Sequence, residues 1–247
     1  MAVPVAPQPT PIAVTPPVES VSSPLPRLIV AGVALLGGLL LIAMAVPRLG
    51  AALELTRAKP VYDRVLNGNA GVDDATLQAA IEALNKGFEW SSEPYLGAML
   101  AYLRKAQADR TTDPALADQR RAQAADAARA TIRVSPSNLI AWAILAAALD
   151  ARDPAVIPAL TRAIAVAPYD PRLRYVRIAL AMRHWSRLDA ATRVLAAAQI
   201  KQAAQVNPRA LALQAREYLG LPAVREALQD DLPLRARFNN VYQNLPR

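Results

Sequence analysis

Few side chains in this sequence could do chemistry, and their spacing decides which chemistries stay open. His184 is the single histidine and stands in "AMRHWSR", beside Arg183 and Arg187, two cations that disfavour its protonation. A lone imidazole in that setting supplies neither a two-histidine metal site nor a Ser-His-Asp triad. Cysteine is absent, which excludes a disulfide framework, a thiol nucleophile and thiolate ligands. Asp73-Asp74 and Asp230-Asp231 pair carboxylates, but each pair falls at a predicted helix end. For the first, an N-cap that also favours the helix dipole is the simpler role. "GGLLL" and "LNGNAGV" lack the Lys-Ser/Thr of a phosphate loop. The inventory therefore predicts a non-enzymatic protein with no cofactor and no metal.

The formal charge is +8, and the basic residues are nearly all arginine, the lysines being Lys59, Lys86, Lys105 and Lys201. Arginine is densest at Arg172, Arg174, Arg177, Arg183, Arg187 and Arg193, with Asp189 the one acid among them. Arg183 and Arg187 stand one helical turn apart and so share a face. Arg174, Arg177, Arg183 and Arg187 are the candidate interaction face. They read either as a solvated basic surface or as a docking surface for an acidic partner, an anionic glycan or lipid headgroups. No stacking aromatics or reading motif accompany the charge, which disfavours nucleic acid.

The elements around these residues begin with a membrane anchor. "LIVAGVALLGGLLLIAMAV", Leu28 to Val46, is nineteen residues without a charge. As a helix it spans about 28 Å, close to the hydrocarbon thickness of a bilayer. A cleaved secretory signal would place a basic region first and a shorter apolar core after it, whereas here a proline-dense stretch comes first. Ala34 and Gly38 form a small-xxx-small pair, a pattern that an Ala/Gly-rich helix also produces by chance. The predicted organisation is a disordered Pro-rich tail over residues 1–24 and a transmembrane helix over 25–47. A helical stalk over 48–70, interrupted near Pro60, leads to a helical domain over 71–230 and a C-terminal cap or tail over 231–247.

Beyond the anchor, apolar residues recur at steps of three and four, as in Leu77, Ile81, Leu84 and in Leu96, Leu100, Leu103, with no alternation of period two. Asp113-Pro114, Asp153-Pro154, Asp170-Pro171 and Asn207-Pro208 each offer a side-chain acceptor followed by a proline, the pattern that opens a helix. The predicted class is all α, with short turns forcing antiparallel helical hairpins.

A repeat is visible across Pro136, Pro168 and Pro208, each closing an alanine-rich run as Val-x-Pro or Val-Asn-Pro. Leu160 and Ala163 precede Pro168 at the offsets at which Ile200 and Ala203 precede Pro208 and Ala128 and Thr131 precede Pro136. Trp142 is followed at helical spacing by Leu145, Ala146 and Leu149, and Tyr175 by Ile178, Ala179 and Met182. This order of aromatic, large, small, large, then large, alanine and closing proline, resembles the tetratricopeptide repeat. The resemblance implies stacked hairpins, alanine permitting close helix approach and the aromatic filling the space between layers. The prolines stand 32 and then 40 residues apart, where that family has 34.

"LELTRAKPVYDRVLNG", "TLQAAIEALNKGFEW" and "PYLGAMLAYLRKA", within residues 53–106, are also similar to small anchored TPR-like proteins of bacterial surface-polysaccharide assembly. That likeness implies a single-pass bacterial inner-membrane protein with its helical domain in the periplasm. The flanking charges, Arg27 before the anchor against Arg48, Arg57, Lys59 and Arg64 after it, favour the cytoplasm instead. The expected function is a membrane-anchored scaffold or adaptor that binds a protein partner through the array, in exopolysaccharide or O-antigen assembly or export. An anionic-polymer or glycan-binding module and an accessory subunit of a larger membrane complex are the alternatives.

Overall fold

A computed structural model describes residues 24–68, 71–168, 170–171 and 173–246, with side chains from Ile29 onward. The predicted tail lies almost wholly outside these residues, and Arg172 lies outside them. All regular structure among the described residues is helical, with no strand. The chain divides into two units, one ending at Ala45 and the other covering Val46–Arg247.

In the first unit the described residues belong to helix α1, Pro24–Leu66, which continues into the second unit. From Ile29 through Met44 its side chains are apolar and exposed, among them Ile29, Val33, Leu36, Leu40 and Leu41. None of its most apolar window is covered by protein, and the helix is long enough to cross a membrane.

The helix does not stop at either proline. The expected interruption near Pro60 is absent, since α1 runs unbroken through Pro47 and Pro60. A proline inside a helix removes one backbone hydrogen bond and costs about 3 kcal/mol. Around Pro60 the burial of Ala58, Val61, Tyr62 and Val65 offsets that cost. Residues 46–66 are thus helical, as expected of a stalk, but one face of them, with Ala51, Ala58, Val61, Tyr62 and Val65, is packed into the second unit's core. The Tyr62 ring meets the Tyr102 ring edge-on, with centroids 5.4 Å apart.

The second unit continues with α2 (Asp74–Trp90), α3 (Pro94–Arg110), α4 (Pro114–Val134), α5 (Leu139–Ala148) and α6 (Val156–Val166). After these come α7 (Arg174–Arg183), α8 (Ala190–Val206), α9 (Pro208–Glu217), α10 (Leu221–Ala227) and α11 (Leu232–Gln243). Side-chain oxygens of Asp73, Asp113, Asn138, Asp189, Asn207 and Asp231 accept from backbone N–H groups in the first turn of α2, α4, α5, α8, α9 and α11. Proline occupies the first turn of α3, α4 and α9, where its missing donor costs nothing.

Two of the four predicted Asp/Asn-Pro starts open helices as expected, at Pro114 and Pro208. The other two do not. Asp153 closes a turn by accepting from the Ala155 amide at 2.7 Å, and α6 starts two residues beyond Pro154. After Asp170-Pro171 the chain reaches α7 only through Leu173, which has φ +52° and no side-chain cap.

Sequential helices pack on one another from α2 to α9, and a second set of contacts skips one helix. α3 touches α5, α5 touches α7 and α7 touches α9, while α6 touches α8 and α8 touches α10. α11 lies on α9 and α8 with Phe238 fully buried. Close approach depends on small residues, as at the α3–α4 contact. There a Cβ on Gly97 would fall 2.9 Å from the Phe88 ring, and the space it leaves admits the buried Thr131. Thr131, where the repeat pattern has alanine, satisfies its hydroxyl by donating to the Ala127 carbonyl at 2.8 Å.

Candidate partner groove

One groove of about 1060 Å³ is built from α3, α4, α5, α7 and α9. Its floor is mostly alanine, with Ala122 and Ala125 from α4, Ala147 and Ala148 from α5 and Ala179 from α7. Short side chains on successive helices leave the space that longer ones would fill. Leu149 and Leu180 add apolar surface.

The rim is charged but balanced. Lys105, Arg121, Arg129 and Arg183 face Asp109, Asp118, Asp150 and Glu217 around it. Several of these are already paired. Lys105 Nζ lies 2.5 Å from Asp109, Arg121 pairs with Asp118, and Arg129 Nη1 lies 3.0 Å from Asp126. These i,i+3 and i,i+4 pairs oppose one another's fields, so the rim carries alternating charges rather than one sign.

At the α7–α9 end the Arg183 guanidinium lies over the Tyr218 ring, 5.2 Å from its centroid. Partial burial, followed by a hydrogen bond with Glu217, pushes the Tyr218 phenol above its ordinary pKa, so it remains a neutral donor. Gln214 donates through Nε2 to the Tyr175 carbonyl at 3.1 Å, while its Oε1 is buried and accepts no hydrogen bond within the protein.

The candidate arginine face does not assemble. Arg177 is fully buried, so its place on an interaction face is corrected. Its Nε donates to Gln199 Oε1 at 3.2 Å and its Nη2 to the Asp170 carbonyl at 2.7 Å. Gln199 in turn donates to the Pro168 carbonyl at 3.0 Å, so these bonds tie the α6–α7 turn to α8. Burial, the first cause, lowers the Arg177 pKa. Its helical position points it into the α7–α8 contact, a placement that counting charges along the chain does not reveal.

Arg174 is half-buried, and Arg187 is exposed but donates to the Ala151 carbonyl at 2.5 Å. Of the four, Arg183 alone lines the groove. His184 is buried next to Arg187, its Nδ1 3.4 Å from Nη1. Burial first, and Arg187 and Arg183 after it, lower its pKa and keep it neutral.

The residues that define the repeat pattern fall on adjacent helices. Trp142 is half-buried on α5 and donates from its indole to the Pro136 carbonyl at 2.8 Å, fixing the helix to the turn before it. Leu145, Ala146, Leu160, Ala163, Ile178, Ala179 and Met182 are buried. Leu149 and Tyr175 are half-buried, Pro168 sits in the turn before α7, and Pro208 opens α9.

Sequence reasoning missed Gln214, Glu217 and Tyr218. The available signal was the charge pairs at helical spacing on α3 and α4, which also fit a plain solvated face. Among the described residues no group of three or more His, Asp or Glu is placed to hold a metal ion. No family model matches the chain, and no curated protein or solved structure is significantly similar to it.

Proposed function

We propose that this protein is a single-pass membrane-anchored scaffold that holds a segment of a protein partner in the groove of a TPR-like helical array. The observation that carries this reading is the groove's construction. Alternate helices α3, α5, α7 and α9, which touch one another in series, each contribute to it. A segment bound there would meet a floor of short apolar side chains and paired charges at the rim. Such a mixture suits a peptide, whose amides donate and whose side chains alternate in character.

The skip-one contacts, with Pro136 and Pro168 standing in the turns before α5 and α7 and Pro208 opening α9, support the hairpin array. The anchor is the apolar first part of α1. Placement in the bacterial inner membrane with the array in the periplasm, and a partner in surface-polysaccharide assembly, rest on the likeness of residues 53–106. The anionic-polymer alternative loses support because Arg177 is buried and Arg187 is engaged with Ala151.

Site-specific photo-crosslinking in native membranes tests the reading. A photoreactive side chain at the groove residue Ala122 is expected to give a discrete protein adduct. One at Val194, which is 69% exposed on α8, is expected to give none. The same adducts at both positions, or none at Ala122, would overturn the groove assignment.

A further inference from the structure

The exposed apolar surface of α1 does not end where the apolar run ends at Val46. Leu49 and Leu53, one turn apart and so on one face, are 62% and 56% exposed. Ala51 and Glu54 on the same helix are buried against the rest of the unit. Between the two leucines Gly50 receives the indole of Trp90 from the end of α2. A Cβ there would lie 2.9 Å from Trp90 Cδ2 and 3.0 Å from Cε3, so glycine is what lets the ring reach the helix. Trp90 still leaves 45% of its surface open. Two leucines and a tryptophan thus form one uncovered apolar patch, with Arg48 exposed beside it.

Distance and chemistry point to one occupant. From Val46 to Leu53 the helix rises about 10 Å, the depth of the layer between acyl chains and water where amphipathic faces and tryptophan settle. Arginine at that level keeps its charge among headgroups while its stem lies along apolar surface. The chain also enters this patch within one turn of the apolar run.

We propose that Leu49, Leu53 and Trp90 form a lipid-facing collar that seats this corner of the helical domain in the interfacial layer of the bilayer. The proposal rests on the reading that residues 28–46 cross the membrane. In it, α2 contributes a second point of attachment through Trp90, so the domain is held by more than a single helix.

The test uses the full chain in phosphatidylcholine–phosphatidylglycerol vesicles whose acyl chains carry bromine near the headgroup. Trp90, Trp142 and Trp185 are the three tryptophans. In the Trp142→Phe/Trp185→Phe form, Trp90 fluorescence is expected to be quenched about twofold. In the Trp90→Phe/Trp185→Phe form, Trp142 is expected to keep its emission. Equal quenching of the two would overturn the collar. So would blue-shifted, unquenched Trp90 emission, which means that a protein covers it.

Because the chain has no cysteine, Leu53→Cys and Val194→Cys carry a bimane label at one site each and repeat the comparison without altering any tryptophan. Quenching at Leu53→Cys no greater than at Val194→Cys overturns the proposal. Alkaline carbonate extraction separates the two readings. Release of the chain from the vesicles refutes the anchor, whereas a retained chain with unquenched Trp90 refutes the collar alone.

Discussion

The helical domain contains two apolar clusters built by different means. The first runs from the later part of α1 through α6 and takes in Leu180, Ala181, Leu188 and Ala196; the second joins Ile178 and Met182 to α8–α11. In the first, α2, α4 and α5 start from side-chain caps, and α3 approaches α4 across Gly97. In the second, α8, α9 and α11 are capped in the same way, but α7 and α10 are reached through Leu173 and Leu219, leucines at φ +52°, and an internal arginine holds the turn before α7 to α8. Where local signals agree with the core, short-range capping suffices. At α7, where Leu173 enters an unfavourable backbone region, polar ties from Arg177 and Gln199 hold the turn in place.

Arg177→Ala should break the contrast most severely. It empties a large buried site and removes the donor to Gln199 Oε1 and one donor to the Asp170 carbonyl, at a cost of about 3–5 kcal/mol. Urea unfolding followed by circular dichroism should show this, and a loss below about 1 kcal/mol would mean that the second cluster does not depend on the clamp.

Gly97→Ala and Gly220→Ala load one cluster each. The new methyl would press on the Phe88 ring at 2.9 Å in the first case and on Met182 Cβ at 2.6 Å in the second. Each is expected to cost about 1–3 kcal/mol. Hydrogen exchange should report the loss on α3 and α4 for Gly97→Ala and on α7 and α10 for Gly220→Ala. Uniform loss across both clusters for either variant would show that they are one.

Leu219→Gly goes the other way. Leu219 is 86% exposed, so little packing is lost, while glycine accepts φ +52° without strain. A gain of about 1 kcal/mol in thermal unfolding is expected, and a loss would show that the leucine's side chain matters to the fold.

The smallest effect is a pH dependence. His184 has its folded pKa below the ordinary 6.5, because burial and then Arg187 and Arg183 oppose the imidazolium. As pH falls through 6.5 the unfolded chain takes up the proton first, so stability is full above that value and declines below it. His184→Gln should flatten this part of the profile in urea titrations between about pH 8 and pH 5. An unchanged slope would assign it to other groups. The capping carboxylates Asp73 and Asp189, whose pKa values the first-turn N–H groups of Thr76 and Thr192 lower, lose their contribution only at more acid pH.

The helical class, the long apolar helix near the N-terminus and the starts at Asp73, Asp113 and Asn207 were legible because each signal lies within a single continuous stretch of chain. Asp170-Pro171 carries the same dipeptide signal as Asp113-Pro114, yet α7 begins three residues after Pro171. Leu173 must first enter the core, and that requirement comes from the partners of α7 rather than from the dipeptide. Pro60 misled for the same reason, since the burial of Val61 and Tyr62 decides the backbone there. The groove was not legible because its walls draw on residues from Lys105 to Tyr218, brought together only by the order in which the helices stack. Arg177 and Arg183 look alike in sequence, but six positions along α7 separate a buried tie from a groove residue.

Helix α7 stands between the two clusters, giving Leu180 and Ala181 to one and Ile178 and Met182 to the other, while Val176, Ala179, Leu180 and Arg183 form part of the groove wall. A ligand seated there grips the helix that both cores share. Occupancy therefore couples their melting, because neither core can open without first releasing the bound segment. In a calorimeter a protein loaded with such a segment would melt in a single step, sharper than that of the free protein.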